Sequence, residues 1–135
     1  MSSTVEKELL DINQALLDAV VSGDYVKYAS FLSHDVTCFE EECCGHLVQG
    51  LKFHKFYFDL AAAQSPSCSL VPGQAHMSQP NVRILAGGNS AVISYTRLNQ
   101  SLDALSTPVS STICETRVWE KDNDGNWKNV HLHRG

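Results

Sequence analysis

The sequence lacks the features by which several classes of protein are recognised. No apolar run approaches the roughly 20 residues that span a bilayer. The N-terminal stretch MSSTVEKELLDINQ is charged and amphipathic, unlike a signal peptide. Only 10 lysines and arginines stand against 15 acidic residues, and they form no cluster. A chain of this charge is therefore expected to bind neither nucleic acid nor a membrane.

The cysteines do not form the pattern of a disulfide framework. There are five, an odd number, and Cys43 and Cys44 are adjacent. Such usage is typical of a reducing compartment, so the expected location is the cytoplasm. Residues 1–135 are long enough for a core of their own and are expected to form a single domain, without a bound cofactor.

The first half of the chain contains the helical patterns. Apolar residues recur at helical spacing over residues 4–22, and Gly23 is expected to end that helix. Asp24 is placed to cap a short second helix with an apolar face of Tyr25, Tyr28 and Phe31 or Leu32. A third helix, with a heavy aromatic content, is predicted over residues 50–63.

Alternating patterns predict strands in the rest of the chain. They cover residues 35–40, 46–49, 81–86, 91–102 and a C-terminal hairpin over 112–134. Residues 67–79 fit no clear pattern, although Ser65, Pro66 and Ser67 are expected to end the third helix. Helices followed by a long antiparallel meander predict an α+β fold in which the helices pack within one curved sheet.

Alternation also assigns the faces of the C-terminal hairpin. On each strand, four residues are predicted to share one face. They are Ile113, Glu115, Arg117 and Trp119 on the first strand, and Trp127, Asn129, His131 and His133 on the second. The turn between the two strands is predicted at Asp122-Asn123-Asp124-Gly125. Both tryptophans are expected to be buried.

Three arginines lie in or at the end of predicted strands, where arginine is uncommon. They are Arg97, Arg117 and Arg134. Buried guanidinium groups require carboxylates or a bound anion. The sequence leaves two interpretations open, internal pairing with Glu115 and Glu40 or a pocket that accepts a small carboxylate. We expect the arginines to converge beneath the aromatic helix beside His54, with at least one guanidinium lacking a carboxylate.

Other candidate sites are weaker. His131 and His133 share a strand face and could hold a metal, but no further ligand is identified, so packed histidines without metal are favoured. Cys38 or Cys114 with His54 would make a nucleophile and base, yet thiols in strands are usually inert.

Long motifs resemble those of the association, or hub, domain of calcium/calmodulin-dependent protein kinase II. The segment LVQGLKFHKFYF over residues 47–58 carries the resemblance most clearly, and so do the segments YTRLNQ over 95–100, ETRVW over 115–119, DGNW over 124–127 and VHLHRG over 130–135. The similarity covers nearly the whole chain. Residues 1–135 contain no kinase domain or calmodulin-binding segment, which predicts an excised or stand-alone hub.

The resemblance implies a nuclear transport factor 2-like cone, in which a long N-terminal helix lies in a strongly curved antiparallel sheet. It implies a non-catalytic scaffold that self-associates into two stacked rings, dodecameric or tetradecameric or larger, and gathers full-length kinase subunits. Family cavity residues correspond to His54, Arg97, Arg117 and Arg134, with Glu115 beside them. The alternative is a small-molecule-binding protein or enzyme of the isomerase or dehydratase kind on the same fold, with His54 or Glu115 as the base.

Overall fold

The computed structural model describes residues 3–64 and 73–135, which form helices followed by a sheet. The elements are α1 (Ser3–Ser22), α2 (Tyr25–Ser30), β1 (Leu32–Phe39), a 3-10 helix (Glu41–Cys43), β2 (Val48–Gln49), α3 (Lys52–Gln64), β3 (Gly73–Ile84), β4 (Ser90–Leu102), β5 (Pro108–Lys121) and β6 (Trp127–Arg134). None of the described helices is both long enough and apolar enough to cross a membrane. The predicted end of the third helix at Ser65-Pro66-Ser67 lies outside the described residues.

The six strands form one curved sheet in the order β2-β1-β6-β5-β4-β3. β3 to β6 are a continuous antiparallel meander, and β2 pairs antiparallel with β1. The one parallel pair joins β1 to β6, the first long strand to the last. Helix α1 packs across the sheet and contacts β3. The predicted α+β fold, a long helix against a strongly curved and mostly antiparallel sheet, is confirmed.

The two N-terminal helices follow the sequence pattern closely. Leu9, Leu16 and Leu17 of α1 are fully buried in the main core. Gly23 adopts φ +73°, a left-handed conformation that glycine reaches without steric cost, and α1 ends there. The carboxylate of Asp24 then accepts a hydrogen bond from the backbone N–H of Lys27 at 3.1 Å, which caps α2.

Three strands begin at least three residues earlier than predicted. One of them is β5, which starts at Pro108 instead of residue 112. β1 starts at Leu32, a residue assigned to the apolar face of the second helix, because α2 ends after one and a half turns. β3 starts at Gly73, although the pattern indicated a strand only from residue 81. This edge strand has a register shift between Ser78 and Asn81, around Pro80, which interrupts the alternation that a sequence pattern would detect.

A bulge at Val130 changes the faces of β6. Trp119 pairs with Asn129, but Val118 pairs with His131, so Val130 has no partner on β5. Because side chains alternate along a strand, one extra residue moves every later side chain to the opposite face. The predicted common face of Trp127, Asn129, His131 and His133 is therefore wrong beyond Asn129.

The bulge places Leu132 and Arg134 inside the fold and the two histidines outside it. Leu132 is 1% exposed and packs with Cys38 and Cys43 in a small second cluster. Outside, the ring of His133 lies 5.4 Å from that of Phe39, on the far side of the sheet from the helices. Without the bulge, Arg134 would face away from the other arginines.

The main core lies between α1 and the middle of the sheet. Trp119 is fully buried and Trp127 is 5% exposed, so the prediction that both tryptophans are buried is confirmed. The turn between β5 and β6 also forms as predicted, with the Asp122 carboxylate accepting hydrogen bonds from the backbone of Asp124 and Asn126.

Candidate functional site: an arginine-lined pocket

The strand pairing brings the predicted site residues together. Tyr95 of β4 lies opposite Glu115 of β5, and Glu115 lies opposite Arg134 of β6. Arg97 follows Tyr95 by two residues on β4, and Arg117 follows Glu115 by two residues on β5, so both arginines lie on the same inward face. Side chains from three neighbouring strands therefore point to one region between the sheet and α3.

That region is a pocket of about 190 Å³. All five predicted site residues line it, namely His54, Arg97, Glu115, Arg117 and Arg134. The pocket is also lined by Tyr28, Glu40, Glu42, Tyr57 and Phe58, which were not part of the predicted site. The expected convergence of the three arginines with His54 is thus a feature of the fold.

Glu115 bridges two of the arginines. Its carboxylate lies 3.1 Å from Nη1 of Arg97 and 3.4 Å from Nε of Arg117, and it also accepts a hydrogen bond from the Tyr95 hydroxyl. Burial raises the pKa of this carboxyl, but Arg117 and Arg97 lower it by more, so its pKa lies below the ordinary value. Glu115 is consequently a fixed anion.

Arg117 is a deeply buried charge in the pocket wall, with 2% of its surface exposed. Its Nη1 donates to Oδ1 of Asn129 at 2.8 Å and its Nε donates to the Tyr95 hydroxyl at 3.2 Å. Burial lowers the pKa of this guanidinium, but Tyr95 and Glu115 raise it by more. Arg117 therefore remains charged and is held in place from three sides.

The hydroxyl of Tyr95 links the pocket to helix α1. Nδ2 of Asn13 donates to this hydroxyl at 3.0 Å, and Oδ1 of Asn13 accepts from Nε1 of Trp119 at 3.1 Å. Asn13 is fully buried on a helix face that is otherwise apolar. Because buried polar groups are costly when unpaired, this network fixes the position of α1 relative to the pocket wall.

Arg134 pairs with carboxylates at the mouth of the pocket. Its Nη2 lies 2.9 Å from Oε2 of Glu42 and 3.4 Å from Oε2 of Glu40. The prediction that at least one guanidinium lacks a carboxylate is wrong. Glu115 contacts both of the other arginines, and Arg134 has two glutamates of its own. Glu42 was not a predicted partner, because it lies in the 3-10 helix between β1 and β2, where strand alternation gives no assignment.

Glu40 differs from Glu115 in the direction of its pKa shift. Burial raises the pKa of the Glu40 carboxyl, and the opposing effect of Arg134 does not fully offset it. The pocket thus has a strongly ionised carboxylate, Glu115, at its deep end, and a carboxylate that is easier to protonate at its mouth.

His54 is neutral in the folded protein. Burial and the nearby charges of Arg117 and Arg134 lower its pKa to about 4. Its Nδ1 lies 2.9 Å from the Tyr28 hydroxyl. One of these two groups donates to the other, and the direction of the bond depends on which ring nitrogen of His54 carries the proton.

Two buried nitrogen atoms in the pocket wall have no hydrogen-bond partner among the described residues. They are Nε2 of His54 and Nε of Arg134. A buried donor without an acceptor costs about 1–3 kcal/mol, so such groups are usually paired with water or a ligand. Because arginine nitrogens only donate, Nε of Arg134 is available to a group that accepts hydrogen bonds.

Neither of the two predicted catalytic bases, His54 and Glu115, is well suited to accept a proton. Glu115 is tied to two arginines and a tyrosine, and the low pKa of His54 makes it a weak base. Burial and Glu40 raise the pKa of the Cys38 thiol, which contacts Cys43, and Cys114 is exposed. Neither thiol forms a hydrogen bond with His54, whose Nδ1 pairs with Tyr28, in agreement with the preference for inert thiols.

The pair His131 and His133 also stays outside the pocket. Nδ1 of His131 lies 2.7 Å from the Thr37 hydroxyl, and His133 is exposed. In the described part of the chain, no cluster of three or more histidine, cysteine or acidic side chains is arranged to hold a metal.

Comparison with known proteins identifies the family. The family model described as "Calcium/calmodulin dependent protein kinase II association domain" matches residues 5–135 of this sequence. The chain belongs to this association-domain family. The rabbit (Oryctolagus cuniculus) calcium/calmodulin-dependent protein kinase type II subunit delta is 36% identical over 129 residues, which is 96% of this chain and 23% of that kinase. The chain thus spans about a quarter of the curated relative.

Solved association domains have the same structure. The hub homology domain of Chlamydamonas reinhardtii is 44% identical, with 97% of each chain covered and a TM-score of 0.86. The association domain from C. elegans is 32% identical, covers 99% of this chain and 97% of its own, and has a TM-score of 0.85. Self-association is the role that membership of this family supports.

The wider fold assignment is also supported. A nuclear transport factor 2-like protein from Salmonella enterica superposes with a TM-score of 0.70, covering 100% of this chain and 92% of its own. At 15% identity, this similarity shows the fold alone. The predicted nuclear transport factor 2-like cone is confirmed.

Proposed function

We propose that residues 1–135 form a single hub domain whose function is to self-associate into a closed, ring-shaped homo-oligomer. The proposed assembly is a cytoplasmic double ring of twelve, fourteen or more subunits that also takes up full-length kinase subunits. The observation that carries the proposal is the family match over residues 5–135, together with 44% identity to a solved hub homology domain.

Apolar residues on the surface support a role in subunit contact. Phe56 and Leu60 of α3 are one helical turn apart and remain 59% and 39% exposed. Val26 and Leu105 are more than 80% exposed. Single exposed apolar residues are common, but adjacent ones on a helix face are typical of surfaces that another chain covers.

The solution mass tests this assembly directly. Native mass spectrometry and light scattering of the 14.9 kDa chain should give one narrow species of a dozen or more subunits. Closed symmetry accounts for the defined size. A monomer or dimer at micromolar concentration would contradict the proposal.

We propose further that the pocket binds a small carboxylate. Three guanidinium groups and the unpartnered Nε–H of Arg134 support this ligand class, because a carboxylate accepts charge-assisted hydrogen bonds and donates none. The three glutamates already balance the three arginines, so the gain on binding is small. We expect an affinity on the order of micromolar to millimolar.

Titration calorimetry with butyrate tests the pocket, with butyramide as a neutral ligand of similar shape. The Arg134→Gln variant should bind butyrate at least about tenfold more weakly, the loss expected for a charged hydrogen bond. Arg83→Gln on the exposed face of β3 removes the same charge and is the control, because Arg83 forms no ion pair with the described residues.

Arg134 is preferred to Arg117 for this test because Arg117 is part of the core network, and its loss would destabilise the fold. Light scattering should confirm that both variants remain assembled. If butyramide binds as well as butyrate, or if Arg134→Gln binds butyrate as the unchanged protein does, the pocket is not an anion site.

A further inference from the structure

The carboxylate of Glu42 contacts Arg134 with both of its oxygens. Nη2 of Arg134 donates to Oε2 at 2.9 Å and to Oε1 at 3.2 Å. The Glu42 carboxylate therefore already binds the guanidinium at the mouth of the pocket. A ligand carboxylate would make the same kind of contact.

Glu42 differs from the other two glutamates of the pocket in exposure. Its side chain is 37% exposed, whereas those of Glu40 and Glu115 are 11% and 0% exposed. Glu115 is held by Arg97, Arg117 and Tyr95. An exposed ion pair contributes about 0–1 kcal/mol, whereas separating a buried one costs several, so Glu42 is the carboxylate that can leave.

The local backbone allows the side chain to leave without disturbing the sheet. Glu42 is the middle residue of the one-turn 3-10 helix between β1 and β2. The turn ends at Cys44 and Gly45, both with positive φ, and Glu42 itself takes no part in strand pairing. Rotation of the Glu42 side chain into solvent breaks no backbone hydrogen bond of the sheet.

We propose that Glu42 is an internal competitor for the pocket, which a ligand carboxylate must displace from Arg134. The proposal rests on the anion site proposed above and adds the residue that sets its affinity. Displacement exchanges one carboxylate for another, and Arg134 keeps its contact with Glu40 at 3.4 Å. The expected ligand is accordingly a small monocarboxylate. When the Glu42 carboxylate leaves Arg134, a neutral amide cannot replace its negative charge.

The experiment compares Glu42→Gln with Glu41→Gln by titration calorimetry with butyrate. Both glutamates are exposed neighbours in the same 3-10 helix, and Glu41 forms no ion pair with the described residues, so the two variants differ only in the contact with Arg134. Glu42→Gln should bind butyrate about three- to tenfold more tightly than the unchanged protein, and Glu41→Gln should bind equally. Butyramide binding should not improve in either variant.

A third variant separates the contact from the charge. Glu42→Asp keeps the negative charge but shortens the side chain by one methylene, which withdraws the carboxylate from Nη2 of Arg134. Displacement predicts tighter butyrate binding by Glu42→Asp as well. The contrary result is tighter butyrate binding by Glu42→Gln alone, with Glu42→Asp and Glu41→Gln equal to the unchanged protein. In that case only the negative charge near the pocket affects binding, and the competitor role is refuted.

The outcomes distinguish this inference from the anion site itself. Equal butyrate binding by the unchanged protein and Glu42→Gln would leave the anion site standing and refute the competitor. Binding by Glu42→Gln alone would establish the competitor and show that it closes the pocket, so that the proposed ligand function fails. No binding by either protein, with assembly intact by light scattering, would refute both.

Discussion

Nη1 of Arg117 donates to Oδ1 of Asn129 across 2.8 Å. This bond joins a buried charge of the pocket wall to the residue that precedes the Val130 bulge. Nδ2 of the same asparagine donates to the backbone carbonyls of Val118 and His131, at 2.9 Å each. One fully buried side chain therefore holds the bulge and positions the guanidinium.

Replacement of Asn129 with alanine should destabilise the fold. Two backbone carbonyls and a buried N–H of Arg117 would lose their partner, so the free energy of unfolding should fall by about 2–4 kcal/mol. Urea denaturation at a fixed protein concentration measures the change. Asn123→Ala in the exposed turn is the control and should stay within about 0.5 kcal/mol of the unchanged protein. A similar small effect for Asn129→Ala would mean that the bulge does not depend on this side chain.

The Tyr95 hydroxyl is expected to contribute to the free energy of unfolding through three buried hydrogen bonds. Tyr95→Phe removes an acceptor from Asn13 and Arg117 and a donor to Glu115, while the ring remains. We expect a loss of about 1–3 kcal/mol in the free energy of unfolding, because the partners stay buried.

Tyr25→Phe is the matched control for the hydroxyl. The Tyr25 hydroxyl forms no side-chain hydrogen bond with the described residues, and its ring packs against Phe58 at 5.4 Å in either form. Denaturation of both variants should therefore show a clear loss only for Tyr95→Phe. Equal losses would indicate a general effect of removing a hydroxyl, and the network would then contribute little.

His54 should make stability depend on pH in the acidic range. Its pKa is about 4 in the folded protein, where Tyr28, Arg117 and Arg134 face it, against about 6.5 in an unfolded chain. Between these values the unfolded state binds a proton that the folded state does not. Stability contributed by the neutral imidazole is therefore complete above about pH 6.5 and is lost as the pH falls towards about 4.

The His54→Gln variant isolates this contribution, since the amide can still accept from Tyr28. Denaturation from about pH 7 to about pH 4 should show the unchanged protein losing about 1–3 kcal/mol more than the variant. The comparison cancels the titration of the acidic residues, including Glu40, whose raised pKa acts in the opposite direction. Parallel curves would show that His54 is not shielded from protonation.

The pocket could be anticipated from the sequence because its main residues lie on regular strands. Arg97, Glu115 and Arg117 follow the period of two along β4 and β5, so alternation alone places them on one face. Burial of Trp119 and Trp127 follows from the same rule. These assignments needed no information about long-range contacts.

The parts that sequence reasoning missed depend on irregular backbone or on distant partners. The bulge falls at Val130, a good strand residue that gives no local signal, so alternation placed His131 inside the fold. Glu42 reaches Arg134 from a loop, over 92 positions of sequence. The burial of Asn13 could have been predicted from the sequence. Asn13 is a polar residue at helical spacing from Leu9, on an otherwise apolar helix face.

The parallel pairing of β1 with β6 has a consequence for the order of folding during synthesis. Leu32 and Thr37 pair with Asn129 and His131, residues made almost a hundred positions later. Until β6 leaves the ribosome, β1 has only the short strand β2 beside it, and contacts of such long sequence separation form slowly. Arg134 belongs to the same late strand, so the mouth of the pocket forms only after β6 has been made.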